Sequence, residues 1–145
     1  MQKLGFGFMR LPLKDPEDYA DIDLDTLAGM VDSFLEQGFR YFDTAYMYHS
    51  GKSETAIRET LVKRYARDRL LLADKMPVAM LGGKDEQPAV FAEQLERGGV
   101  EYFDLYLIHN LGVENYKKAQ AFGTFDFVQE QKREGGAGRR RLRHP

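Results

Sequence analysis

Four side chains in this sequence have the types and spacing for proton transfer. Asp43, Lys75 and His109 stand 32 and 34 positions apart, and Tyr48 follows Asp43 by five in "YFDTAYMYHSGKSE". A phenol ionises near pH 10, which is too high for efficient acid–base work at neutrality. An adjacent ammonium favours the phenolate, and a carboxylate keeps such an ammonium charged and oriented. An imidazole at the same rim can donate a hydrogen bond to a substrate oxygen and polarise a carbonyl. The set is suited to protonating a carbonyl oxygen while a hydride arrives at the carbon. Singly, each residue has a plainer reading. A strand-end Lys or Asp is a solvated charge or a salt bridge, a Tyr in "AYMYHS" is packing, His49 is a loop residue and His109 a structural one.

The elements that would gather these groups follow from the apolar pattern. Leu27, Met30, Val31, Phe34 and Leu35 recur at the spacing of one helix face, and Gly38 stands where a left-handed cap would end that helix. "FRYFDTA" is short and aromatic, as a strand is. Ser53-Glu54 opens a second helix on Ile57 and Leu61. "LLLADK" (70–75) is the continuous apolar run of a strand covered on both faces. A third helix uses Val90, Phe91 and Leu95 and stops at Gly98-Gly99, "YFDLYLIHN" is another strand, and two helical segments cover 114–122 and 125–133. With "LGFGFM" as a first strand, the order predicts four parallel βα units. Asp43, Lys75 and His109 then lie at the C-terminal ends of successive strands, the end where function collects in parallel α/β folds.

Composition narrows the class. A chain of 145 residues is expected to form one domain. It has no apolar run of the ~18 residues a membrane span needs, and "MQKLGFGFMR" lacks the apolar core of a secretory leader. The absence of Cys excludes disulfides, thiolate zinc sites and Fe–S ligation, which fits a cytoplasmic protein. The net charge of −2 conceals "GGAGRRRLRHP" (135–145); without its four Arg, 17 basic residues face 23 acidic ones, a balance of −6. Such a tail reads as a disordered end or as a nucleic-acid contact, and nucleic acid is the least favoured partner.

Other motifs fail. Gly5 and Gly7 begin a dinucleotide fingerprint, but Arg10 occupies the third glycine position. "GGK" (82–84) lacks the spacing and the Ser/Thr of a phosphate loop. Asp43, His49 and His109 would be a metal site without a close His pair, so a metal-dependent hydrolase ranks low and no metal ligand is assigned.

"FDTAYMYHSGKSE", "LLLADK" and "DLYLIHN" resemble the aspartate–tyrosine, lysine and histidine segments of the aldo/keto reductases, in that order and at strand ends. The resemblance covers Leu4 to about Glu134, and "LGFGFMRLP" is similar to a bacterial branch whose longer members carry a Cys-rich end. Where the family would continue into a fifth strand the sequence reads "GAGRRRLRHP", so the resemblance favours a reading-frame shift or a premature end as the reading of the Arg-rich tail (135–145). It implies an α/β fold, the N-terminal half of a TIM-type (β/α)₈ barrel, over domain 1–134. It also implies NADPH-dependent reduction of a small carbonyl substrate. Tyr48 would be the general acid, Lys75 its activator, Asp43 the partner of that lysine and part of the cofactor site, and His109 the group that orients the carbonyl. Such barrels run to ~250 residues and bind phosphate after their last strands, so weak or no turnover and a missing part of the NADPH site are expected. Exposed sheet edges invite pairing with another chain; a self-associating, non-enzymatic half-barrel is the alternative.

Overall fold

The computed structural model describes residues 4–138. The four arginines of the expected tail lie outside the described residues. Four strands, β1 (Gly5–Gly7), β2 (Tyr41–Asp43), β3 (Leu71–Met76) and β4 (Leu105–Ile108), form one sheet in the order β1-β2-β3-β4. Every pairing is parallel. The helices are α1 (Leu24–Glu36), α2 (Ser53–Ile57), α3 (Gln87–Gly98), α4 (Val113–Ala121) and α5 (Thr124–Glu134). The parallel sheet is what the strand–helix alternation predicts, and it is half of a (β/α)₈ barrel, as the resemblance implies.

Register decides which side chains share a face. Gly5, Tyr41 and Leu71 are in line, as are Gly7, Asp43 and Ala73, and then Lys75 with Leu107. Because successive strand residues point to opposite faces, these form the inner, concave face. Phe6, Phe42, Leu72, Asp74, Met76, Tyr106 and Ile108 point the other way, toward the helices. There Phe42, Leu72 and Met76 are buried with Leu27, Val31 and Leu35 of α1 and Phe91 of α3.

α1 starts at Asp23, whose carboxylate accepts the Thr26 N–H at 3.0 Å, satisfying one of the free donors of a helix N-terminus. It ends where Gly38 takes φ 85° and donates its N–H to Leu35 O, at the glycine read as a stop. The buried stripe is narrower than the sequence pattern suggests: Leu27, Val31 and Leu35 are buried, but Met30 is 45% exposed. The second helix runs only to Ile57 before widening into a π-turn at Arg58–Val62. β2 and β4 are shorter than the aromatic runs that contain them, because their flanking residues already turn into loops. Beyond α5, Phe103 forms a parallel bridge with Ala137, with Phe103 N–H on Gly136 O and Gly138 N–H on Phe103 O. The first residues of the expected tail therefore lie along the start of β4.

Gly5 is a packing requirement. A Cβ built there would stand 2.5 Å from Cδ1 of the Tyr41 ring, closer than side-chain atoms approach. Gly5→Ala is therefore expected to cost about 1–3 kcal/mol through displacement of that ring, measured as a fall in urea midpoint with an unchanged m-value. Gly7→Ala, with nothing within 4 Å of the same position, is the control.

Candidate active site

The sequence places Asp43 and Lys75 on adjacent strands, and the fold brings them into contact. Lys75 Nζ donates to Asp43 Oδ1 at 2.6 Å and to the Thr44 carbonyl at 2.6 Å, and lies 3.5 Å from the Tyr48 hydroxyl. It also sits 5.0 Å from the centroid of the Tyr48 ring. Tyr48 packs edge-on against His109, with ring centroids 5.6 Å apart. The four residues chosen from the sequence thus occupy one end of the sheet.

Each is held by local structure. The Asp43 carboxylate receives Lys75 on Oδ1 and the Tyr41 hydroxyl on Oδ2, at 3.2 Å. Burial, and then the charge of Asp43, push the Tyr41 phenol up to about 12, so it remains a donor to that carboxylate. Tyr41 was read only as a strand aromatic. The available signal was its place two residues before Asp43, on the same face of the strand.

The loop bearing Tyr48 turns through three consecutive left-handed residues, His49 (φ 51°), Ser50 (φ 54°) and Gly51 (φ 85°). Two of these are not glycine, an unfavourable conformation that persists only where the surroundings enforce it. His49 supplies the enforcement. It is buried, its Nε2 accepts the Leu11 N–H at 3.2 Å, its Nδ1–H donates to Tyr19 O at 2.7 Å, and it stacks on the Tyr19 ring at 4.2 Å. The loop histidine is therefore also a clamp. Ser53 completes the support by joining Thr44 Oγ1 at 2.7 Å and donating to Phe8 O at 3.1 Å.

His109 directly follows β4, with its N–H on Met76 O at 3.0 Å. Its Nδ1 is buried without a hydrogen-bond partner among the described residues. Burial foremost, and then the Lys75 ammonium, hold its pKa below the ordinary 6.5, against the opposing pull of Asp43. The imidazole is therefore neutral at pH 7. The folded state disfavours its protonation, so this contribution to stability is present above about pH 6.5 and is lost as pH falls through the folded value. An NMR titration of the imidazole is expected to give a midpoint below that of a His in an unfolded peptide, and Lys75→Met to raise it. Among the described residues no group of three or more His, Asp or Glu is arranged to hold a metal. No helix among them is long and apolar enough to cross a membrane.

The arrangement offers a phenol, an ammonium 3.5 Å from its hydroxyl, a carboxylate fixing that ammonium, and a neutral imidazole across the phenol ring. The model of the aldo/keto reductase family matches residues 3–138. An aldo-keto reductase of Mycolicibacterium smegmatis is 30% identical over 131 residues, spanning 90% of this chain and 42% of that protein. A probable NAD(P)H-dependent D-xylose reductase of Aspergillus terreus is 33% identical over 114 residues, spanning 75% of this chain and 31% of that protein. Among solved structures, an aldo-keto reductase from Bacillus halodurans in its holo form superposes with TM-score 0.71 at 26% identity, over 92% of this chain and 43% of that one. One from Klebsiella pneumoniae in complex with NADPH gives TM-score 0.67 at 22% identity, over 93% and 43%, a likeness of fold. The chain spans less than half the length of these relatives. It belongs to the aldo/keto reductase family.

Proposed function

We propose that this chain carries the proton-transfer half of an NADPH-dependent carbonyl reductase site, with Tyr48 as general acid. The observation that supports this most is the Lys75 ammonium, bonded to Asp43 and lying 3.5 Å from the Tyr48 hydroxyl. Tyr48 gives its proton to the oxygen of a small carbonyl substrate. Lys75 stabilises the phenolate left behind, and Asp43 and the Thr44 carbonyl keep Lys75 in place. His109, neutral at pH 7, donates to the same substrate oxygen and fixes its angle. The bound cofactor would supply the hydride.

The described residues fit such a cofactor at its reacting end. On the inner face Gly7, in register with Asp43 and without a side chain, leaves open space beside that carboxylate, and Asp43 would contact the nicotinamide end. They include four strands, and no counterpart of the phosphate loops that follow the last strands of such barrels. Weak NADPH affinity and slow turnover of this chain by itself follow. The test is NADPH oxidation against a panel of aldehydes and ketones, with cofactor titration followed by tyrosine fluorescence. Slow, tyrosine-dependent turnover with weak binding supports the proposal; tight stoichiometric binding without turnover on any carbonyl sinks it.

A second reading has its own support. Leu105 and Leu107 of the inner face are 43% and 42% exposed, an apolar strand surface that favours association. In this reading two copies cover these faces and the role is binding or regulation. Sedimentation showing a stable dimer with no cofactor affinity would favour it over the reductase.

A further inference from the structure

Strand β3 bonds its two neighbours in alternation. Leu71 N–H goes to Arg40 O and Ala73 O receives Thr44 N–H on the β2 side. Leu72 O receives Asp104 N–H and Met76 O receives His109 N–H on the β4 side. Lys75 therefore turns its own N–H and C=O toward β2. The last β2 pair, however, is Asp43 with Ala73, and the chain then leaves the sheet through Thr44. A buried backbone group left without a partner is costly. Here side chains take over: the Lys75 N–H donates to Asp74 Oδ1 at 2.8 Å, and the Lys75 carbonyl accepts from Gln94 Nε2 at 3.0 Å.

Gln94, itself fully buried, is fixed by its other contacts. Its Nε2 also donates to Glu54 Oε1 at 3.1 Å, and its Oε1 accepts the Tyr106 hydroxyl. Glu54 Oε2 receives Arg97 at 3.2 Å. One oxygen in this layer lacks a hydrogen-bond partner among the described residues, Oδ2 of the wholly buried Asp74. The groups around it are Glu54 from α2, Arg97 by way of Glu54 from α3, Tyr106 from β4 and the Lys75 ammonium on its own strand. Two neighbouring buried carboxyls do not both stay ionised. Glu54 has an arginine and an amide donating to it, whereas Asp74 has one backbone N–H, so the proton goes to Asp74. Burial first, and then the charge of Glu54, push the Asp74 carboxyl well above its ordinary range, outweighing the pull of the Lys75 N–H and ammonium.

We infer that Asp74 is a neutral carboxylic acid whose Oδ2–H donates to Glu54, and that Asp74 and Gln94 are positioning residues completing the backbone bonds of Lys75 where β2 has departed. The relevance of this wiring to turnover rests on the reductase reading; the wiring itself does not.

Asp74→Asn provides the test, because an amide reproduces the inferred pattern, with its oxygen accepting from Lys75 and its NH₂ donating to Glu54. In infrared spectra near neutral pH the wild-type protein should show the carbonyl stretch of a protonated carboxylic acid, absent from Asp74→Asn and retained in Glu54→Gln. Amide exchange at Lys75 should stay within about twofold of wild type in Asp74→Asn, and become roughly tenfold faster in Asp74→Ala while Leu72 is unaffected. Where turnover is measured, Asp74→Asn should retain kcat and Gln94→Leu should lower kcat more than it raises KM. No acid band in the wild type, a band that disappears with Glu54 rather than Asp74, or Asp74→Asn exchanging as fast as Asp74→Ala would each overturn the inference. Should Asp74→Ala fail to fold, the infrared comparison of wild type with Asp74→Asn decides by itself. A wild type without turnover would count against the reductase reading alone.

Discussion

Tyr48→Phe is expected to lower kcat for carbonyl reduction by roughly 10²–10⁴-fold, the usual worth of a positioned general acid. The substitution removes one hydroxyl and leaves the ring, so the edge-on packing against His109 and the approach of the Lys75 ammonium to the ring are retained. The loss should therefore fall on kcat, with cofactor affinity nearly unchanged. Tyr46→Phe is the control. Its hydroxyl donates to Glu93 at 2.8 Å, away from Lys75, and the variant should keep its rate within about threefold, as a surface polar contact allows. Single-turnover NADPH oxidation separates the two. An unchanged rate in Tyr48→Phe would remove Tyr48 from the role, and an equal loss in both variants would point to disruption of the loop rather than of chemistry.

The largest expected effect on stability is at Phe42. This side chain is fully buried between the sheet and α1, with ring centroids 5.9 Å from Phe6, 6.3 Å from Phe8 and 5.3 Å from Phe34. Phe42→Ala removes those contacts and leaves a cavity in the aromatic layer behind β1 and β2, at a cost of about 3–5 kcal/mol. For a chain of this size that is a fall in Tm of roughly 10–15 °C, read by circular dichroism. Met30→Ala is the matching control, because Met30 is 45% exposed and its loss should fall within about 0.5 kcal/mol. A Phe42 variant as stable as the Met30 variant would contradict the packing described for the helix-facing layer.

Most of the strand order was legible because three of the four strands are apolar runs leading to a polar residue, Asp43, Lys75 or His109, and these fall at the same end of the sheet. Parallel topology then follows from the helices between the runs, and the meeting of Asp43 with Lys75 follows from the topology. What the sequence did not disclose depends on partners distant along the chain. The stripe on α1 narrowed because the sheet it covers is small, so the apolar period included Met30 although burial does not. Tyr41 became part of the site because Gly5 lets its ring lie flat over β1. Asp74 looked like an ordinary charge at the end of "LLLADK". Only the arrival of Glu54 and Gln94, from two different helices, makes it a buried group with a fixed proton. The role of Gln94 had no local signal, since a polar residue in an amphipathic helix reads as solvent-facing until the sheet behind it is known.

The histidine clamp has a consequence for motion. Because one imidazole is fastened at both nitrogens to the excursion between β1 and α1, the segments at residues 11–19 and 46–51 must swing as a single plate or stay still.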